Sequence, residues 1–330
     1  SSAASDVYKR QLVDGASTDN TRALMCEFAL DNKDEFRRVV VLDNPKKTLP
    51  SGWNVALREY KGDAIIKVDA HAVIPEDFVS KNVRVLETGE YICGGQRPNI
   101  IDKPTPFKET LLLAESSMFG SSIASYRNNP GKTYVKSLFH AAYRREVFEK
   151  VGFFNEELVR TEDNEIHYRM RKAGYKLCFD PDIISYQYTR SSLKAMLKQK
   201  YANGYWIGKT SKVCPKCLSI YHFVPFAFVS AIIASGSVIG ATGLAECIKK
   251  RHNHTLGKGI SALRKVTVVL TTVMWVLYAL MASGMAAVSA FKAEDKRNIT
   301  NACLPVLFLL LHLSYGIGTI AGLMDKSKRG

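Results

Sequence analysis

Acidic side chains at three separated places have the types and settings for group transfer on a charged substrate: Asp14, Asp69 with His71, and the adjacent pair Glu162 and Asp163. Asp69 and His71 close the apolar run IIKVDAH at 65–71. Residues two apart in an extended segment point the same way, so a carboxylate at the exposed end of a strand can hold a divalent cation against a diphosphate with His71 beside it. The plain alternative is a loop-capping Asp69 and a surface His71. DGAST at 14–18 sets Gly15 and Ser17 after Asp14, where backbone N–H groups can face a nucleotide, although the same composition makes an ordinary turn. VRTEDNEIHYRMRKAGY at 159–175 reads as a helix with an acidic first turn, Ile166, Met170 and Ala173 on one face, and a stop at Gly174. Glu162 and Asp163 there are either partners of the helix dipole or participants in chemistry. Arg97, after Gly94, Gly95 and Gln96, fits either a phosphate contact or a solvated turn.

The elements that must position these groups alternate in type. LVD, a helix-like TRALMCEFALDN, VVVLDN, a helix-like SGWNVALREYKG and AIIKVD form successive βα units, which predicts a parallel sheet. Ligands of such sheets collect outside the carboxyl ends of the strands, where Asp14 and Asp69 fall. TPFKETLLLAESSMFGSS at 105–122 reads as another helix. Ser191 to Lys209 carries Leu193, Met196, Leu197, Tyr201 and Tyr205 at helical spacing among lysines, the pattern of a helix in the headgroup region or of one packed on the domain.

Three apolar runs, 222–245, 266–291 and 302–324, contain no Lys, Arg, Asp or Glu and exceed the roughly 20 residues a bilayer crossing requires. They predict three membrane helices. Eight Lys and Arg lie near the span ends on the side of the large domain and nine on the other, so the positive-inside rule leaves orientation undecided. The net charge of +15 suits anionic lipid and anionic substrates. With no zinc-finger spacing, RNP-like motif or basic recognition helix, a nucleic-acid partner is not expected. Seven scattered cysteines suit a reducing compartment, and only Cys214-Pro-Lys-Cys217 has metal-like spacing. SSAASDVYKRQ at 1–11 has no strand pattern or targeting character and reads as a vector or assembly scar.

Taken in order, VDGASTDNT (13–21), KVDAHAVIPEDFV (67–79), AAYRREVFEKVGFFNEELVRTEDNE (141–165) and QKYANGYW (199–206) resemble glycosyltransferase family 2, the inverting GT-A enzymes that use nucleotide-sugars. D-A-H at 69–71, RSSLKAML (190–197) and HLSYGIG (312–318) look more narrowly like succinoglycan-type glucosyltransferases of exopolysaccharide assembly. The resemblance implies an α/β fold of GT-A (Rossmann-like) type, a mixed, mostly parallel sheet flanked by helices, followed by an α-helical transmembrane region. It implies that Asp14, Gly15 and Ser17 bind the nucleotide-sugar together with Asp69, and that Asp69 and His71 hold Mg²⁺ or Mn²⁺. Asp163 becomes the general base, with Glu162 second. Gln199 and Trp206 resemble the QxxRW element near acceptor or diphosphate, but the spacing is longer and Gly204-Tyr205 replaces the Arg.

The expected organisation is a leader over 1–11, a GT-A domain over 12–190 that lacks its N-terminal strand, an amphipathic interfacial segment over 191–220, and a membrane domain over 221–330 with three transmembrane helices. The expected protein is a multi-pass enzyme of the inner (plasma) membrane with its catalytic domain in the cytoplasm. It transfers a hexose, glucose from UDP-glucose, to a lipid-linked oligosaccharide in exopolysaccharide biosynthesis. Transfer to a polyprenyl phosphate itself and a non-catalytic scaffold role are the alternatives. The presence of Asp69, Glu162 and Asp163 together argues against a degenerate, non-catalytic chain.

Overall fold

A computed structural model describes residues 9–120, 131–252, 257–293 and 298–327. β1 (Lys9–Asp14), α1 (Thr21–Asp31), β2 (Arg38–Asp43) and α2 (Leu49–Glu59) form the first two βα units, with β1 parallel to β2 and Asp14 opposite Asp43. Next come β3 (Ala64–Ile66), β4 (Ala72–Val73), α3 (Phe78–Glu87), β5 (Ile92–Gln96), β6 (Asn99–Ile100) and α4 (Pro106–Ser116). β7 (Thr133–Val135), β8 (Ala141–Arg144), α5 (Arg145–Val151), α6 (Glu162–Lys172), β9 (Leu177–Ile184) and β10 (Tyr186–Tyr188) complete the α/β part. Four long helices follow: α7 (Leu193–Val213), α8 (Val224–Arg251), α9 (Lys258–Lys292) and α10 (Leu304–Met324).

The sheets are mixed and flanked by helices. A five-stranded sheet runs β3-β8-β5-β9-β7, a three-stranded one β4-β10-β6, and β1 pairs with β2 alone. Parallel pairing holds for β1 with β2, β5 with β9 and β6 with β10, whereas β8 runs against both β3 and β5, and β9 against β7. Antiparallel pairs therefore outnumber parallel ones in this mixed arrangement, because β8 enters the five-stranded sheet between β3 and β5 and runs against both.

The polar start also departs from expectation. Lys9 to Gln11 have no apolar pattern, yet they continue β1, because the ladder to β2 supplies their backbone partners and the Arg10 guanidinium lies 4.3 Å over the Phe36 ring and 5.2 Å over Phe28. The rest of the 1–11 segment falls outside the described residues, as do the last two residues of the expected 105–122 helix.

One core joins Ile92, Tyr143, Phe148, Ile166, Met170, Leu177 and Phe179 around the five-stranded sheet and α6. β5 approaches β9 so closely at Gly95 that a Cβ there would sit 2.0 Å from the Ile183 carbonyl oxygen, which explains the glycine before Gln96 and Arg97. Gly174, at φ 96°, ends α6 where the helical spacing predicts. By length and composition Ile220–Arg251, Lys258–Lys292 and Ile299–Met324 are each able to cross a membrane.

Candidate active site

The strand read as ending at Asp69 stops as a strand at Ile66, and the Lys67 amide, one step beyond, donates to the Ala141 carbonyl at 2.9 Å. Lys67 and Asp69 lie close enough for each to stabilise the other's charge. α6 begins opposite them. Its first turn presents Glu162 and Asp163, and the Lys67 ammonium donates to Asp163 Oδ1 at 2.5 Å across 96 positions of sequence. The ammonium is buried beneath Trp53, Phe139 and Phe154, with ring centroids 5.1, 5.9 and 5.7 Å away.

His140 stands behind Asp69, with Nε2 3.7 Å from Oδ2, too long for a hydrogen bond, while Nδ1 pairs with Ser185 Oγ at 2.8 Å. Burial lowers the His140 pKa, against the pull of the Asp69 carboxylate. Burial also opposes ionisation of Asp69, but His140 and Lys67 overcome it and bring its pKa down to about 2. Burial, then the neighbouring Asp163 charge, pushes Glu162 up; burial raises Asp163 too, against the pull of Lys67. Burial costs Lys67 some proton affinity, and the carboxylates Asp163, Asp69 and Glu162 more than restore it. The cluster thus holds more carboxylates than cations.

These groups open on a cavity of about 650 Å³. Asp69, His71, Arg97, Glu162, Asp163 and Gln199 all line it. Its far wall comes from the apolar helices, at Tyr221, Pro225, His312 and Tyr315. Asp14, Gly15, Ser17 and Trp206 are not among the described residues that line it. Asp14 is buried and accepts from Ser17 Oγ at 2.6 Å and from the Ser17 amide at 3.2 Å, which curls the 14–18 loop around the carboxylate with Ala16 at φ 57°. Trp206 is buried on α7, edge-on to Tyr205. The Arg97 guanidinium lies 3.6 Å over the Phe139 ring.

Sequence reasoning missed Lys67 and His140. A lysine inside the apolar run IIKVD, two residues before Asp69, was a signal for the first. No local pattern marks the second. Arg160 and Arg190, also on the cavity wall, lie close enough that, after burial, Arg190 is the next cause lowering the Arg160 pKa.

The residues present fit a divalent cation in part. Asp69 Oδ1 and Glu162 Oε2 are buried without hydrogen-bond partners, an arrangement that costs free energy until something satisfies them. His71 Nε2 sits 2.9 Å from Gln187 Nε2, so Asp69 is the stronger ligand candidate. Among the described residues no three His, Cys, Asp or Glu converge as a complete metal cage. Mg²⁺ characteristically binds through one or two carboxylates plus substrate phosphates, which this donor set matches. Cys214 and Cys217 are both free thiols and gather no third ligand there.

Residues 7–152 match the model of glycosyl transferase family 2. Among curated relatives, the succinoglycan biosynthesis protein ExoA of Rhizobium meliloti is 29% identical over 198 residues, 58% of this chain and 58% of that protein. A dolichyl N-acetyl-alpha-D-glucosaminyl phosphate 3-beta-D-2,3-diacetamido-2,3-dideoxy-beta-D-glucuronosyltransferase of Methanococcus voltae is 25% identical over 69% of this chain and 71% of its own length. A crystal structure of GalNAc-T7 with UDP, GalNAc and Mn²⁺ superposes at a TM-score of 0.43 and 16% identity, over 65% of this chain and 46% of that one.

Proposed function

We propose that the chain is an inverting, metal-assisted glycosyltransferase that moves a hexose from a nucleotide-sugar to a lipid-linked saccharide in surface polysaccharide assembly. One observation carries the reading: Asp69, Glu162 and Asp163 converge on one cavity that continues to the base of the apolar helices. Glucose from UDP-glucose is the proposed donor, in keeping with the relative that takes part in succinoglycan biosynthesis.

Asp69, ionised down to low pH, would hold Mg²⁺ or Mn²⁺ with help from His71. The ion, when bound, offsets the charge that develops on the departing nucleoside diphosphate. The 14–18 loop, at the carboxyl end of β1, is the proposed seat of base and ribose. Asp163 takes the proton of the acceptor hydroxyl. Lys67 engages its Oδ1 and so leaves Oδ2 for the alcohol. Glu162, whose pKa burial raises, carries a proton at neutral pH and is the weaker base candidate. Arg160 and Arg190 offer paired cations for the phosphate of a lipid-linked acceptor.

The test is transfer with radiolabelled nucleotide-sugars in membranes. Asp163→Asn is expected to lower kcat by about 10² to 10⁴ while leaving donor affinity nearly unchanged. Asp69→Asn weakens donor binding instead. Chelation removes activity and Mn²⁺ or Mg²⁺ restores it. Unchanged turnover in Asp163→Asn defeats the base assignment; activity indifferent to chelation defeats the metal.

A further inference from the structure

Leu304–Met324 has the length of a third membrane span, yet it packs along α7, and its start shares a buried cluster with Leu111 and Ala114 of α4 as well as with Ala282 and Ala286 of α9. α7 runs beside α10 in the same direction along its whole length. Near the start, Met196 shares a buried cluster with Leu304, Leu307, Phe308 and Leu311. In the middle, a Cβ on Gly204 would lie 1.9 Å from the Tyr315 carbonyl oxygen, and one on Gly318 would lie 2.1 Å from that of Tyr201. Toward the end Gly208 meets Thr319 and Gly322 meets Tyr205 in the same way. At the end Lys209 Nζ stands 3.5 Å from Asp325 Oδ2 and Lys212 Nζ donates to the Asp325 carbonyl at 2.9 Å.

A helix of 21 residues is about 31 Å long, the depth of the hydrocarbon core. Were α10 to cross, α7 would have to cross with it, carrying Lys198 and Lys200 inward. Each lysine at the bilayer centre costs about 2.5 to 3.5 kcal/mol. The start of α10 is held by α4, and its end by α7, which is itself tied to the α/β domain there. Before its first turn, Thr110 of α4 pairs with Thr300 at 2.6 Å and with Asn301 at 2.7 Å. Beside its last turn, Thr210 of α7 hydrogen-bonds Thr161, the residue before Glu162. A spanning helix has its ends on opposite faces of the membrane.

Contacts with the α8–α9 hairpin fall at the hairpin's domain end. Gly316 packs on Pro225 and Val229, and His312 Nδ1 pairs with the Tyr278 hydroxyl at 3.0 Å. At the far end of the hairpin Arg264 pairs with Glu246, well away from these contacts. The most apolar window of α10 is 39% buried within the protein, against 6% for each of the other two helices.

We infer that α10 does not cross the bilayer but lies at its surface on the side of the α/β domain, leaving α8 and α9 as the crossings. Its uncovered Val306, Ile317 and Met324 meet the boundary between headgroups and acyl chains. One consequence is orientation. Lys326, Lys328 and Arg329 move to the domain side, so eight against nine becomes eleven against six, and the positive-inside rule then places that domain in the cytoplasm.

Cysteine labelling tests this without reference to activity. Lys326→Cys, Glu87→Cys on α3 and His252→Cys beyond α8 are made singly in the full chain, all three sites being exposed. Sealed vesicles of each orientation are treated with a membrane-impermeant maleimide, labelled peptides are identified by mass spectrometry, and a detergent-solubilised sample gives the fully reacted reference. Lys326→Cys and Glu87→Cys are expected to label in the same vesicle orientation, with loss of labelling in the other, and His252→Cys the reverse. Labelling of Lys326→Cys together with His252→Cys, or its protection in both orientations, overturns the inference.

Discussion

Acidification should loosen the helix that delivers Glu162 and Asp163, and His167 is the reason. This residue is fully buried one turn into α6, with Nε2 paired to the Tyr143 hydroxyl at 2.8 Å and Nδ1 to Ser137 Oγ at 3.1 Å. Burial brings its pKa down to about 3. In the unfolded chain it titrates near the ordinary histidine value of about 6.5. Because the folded pKa is the lower one, the unfolded chain takes up the proton first, and stability present above about pH 6.5 is lost as pH falls toward the folded value. Linkage between these two values gives a loss of about 2 kcal/mol on going from pH 7 to pH 5. Glu162 acts in the opposite sense. Its folded pKa is raised, so its contribution is lost as pH rises and grows over the same acid step. The wild-type trend alone is therefore ambiguous, and the comparison with His167→Gln isolates the histidine. Urea unfolding of detergent-solubilised protein, followed by tryptophan fluorescence at pH 5, 6 and 7, supplies both curves. The variant is expected to be less stable at pH 7 by about 1 to 3 kcal/mol from the lost buried hydrogen bonds. Its deficit should shrink by about 2 kcal/mol at pH 5. A deficit that stays constant across that range would show that His167 is not held neutral by the fold.

Lys67→Met leaves Asp163 and Asp69 without their buried cation and is expected to cost about 3 to 5 kcal/mol of stability. Lys67→Met combined with Asp163→Asn should cost less than the two single changes added together; additive losses in denaturant unfolding would mean that the pair is not coupled. Gly204→Ala drives a methyl into the Tyr315 backbone and is expected to lower stability by about 1 to 3 kcal/mol. Gly236→Ala on α8, with open space around its Cβ, should leave the melting temperature unchanged or raised; equal losses in the two variants would refute the close α7–α10 contact.

Local sequence determined much of this protein. Apolar spacing marked α2 and α6 within a few residues, Gly174 marked where α6 ends, and uncharged runs marked three helices able to enter a membrane. Those features depend on neighbours within one helical turn or one strand repeat, so adjacent residue types suffice to specify them. Acidic groups at a strand end and a helix start were legible for the same reason, and Asp69, Glu162 and Asp163 do face one cavity. Only the tertiary structure decided which partners they have. Lys67 meets Asp163 across 96 positions and Lys200 meets Glu115 across 85, pairings that follow from how β3, α4, α6 and α7 pack rather than from any repeat. The same holds for α10. Its composition is that of a membrane span, but a helix is assigned to lipid or to protein by what lies against it, and Gly204, Gly208, Gly318 and Gly322 admit α7 there because their missing side chains let two backbones close to contact.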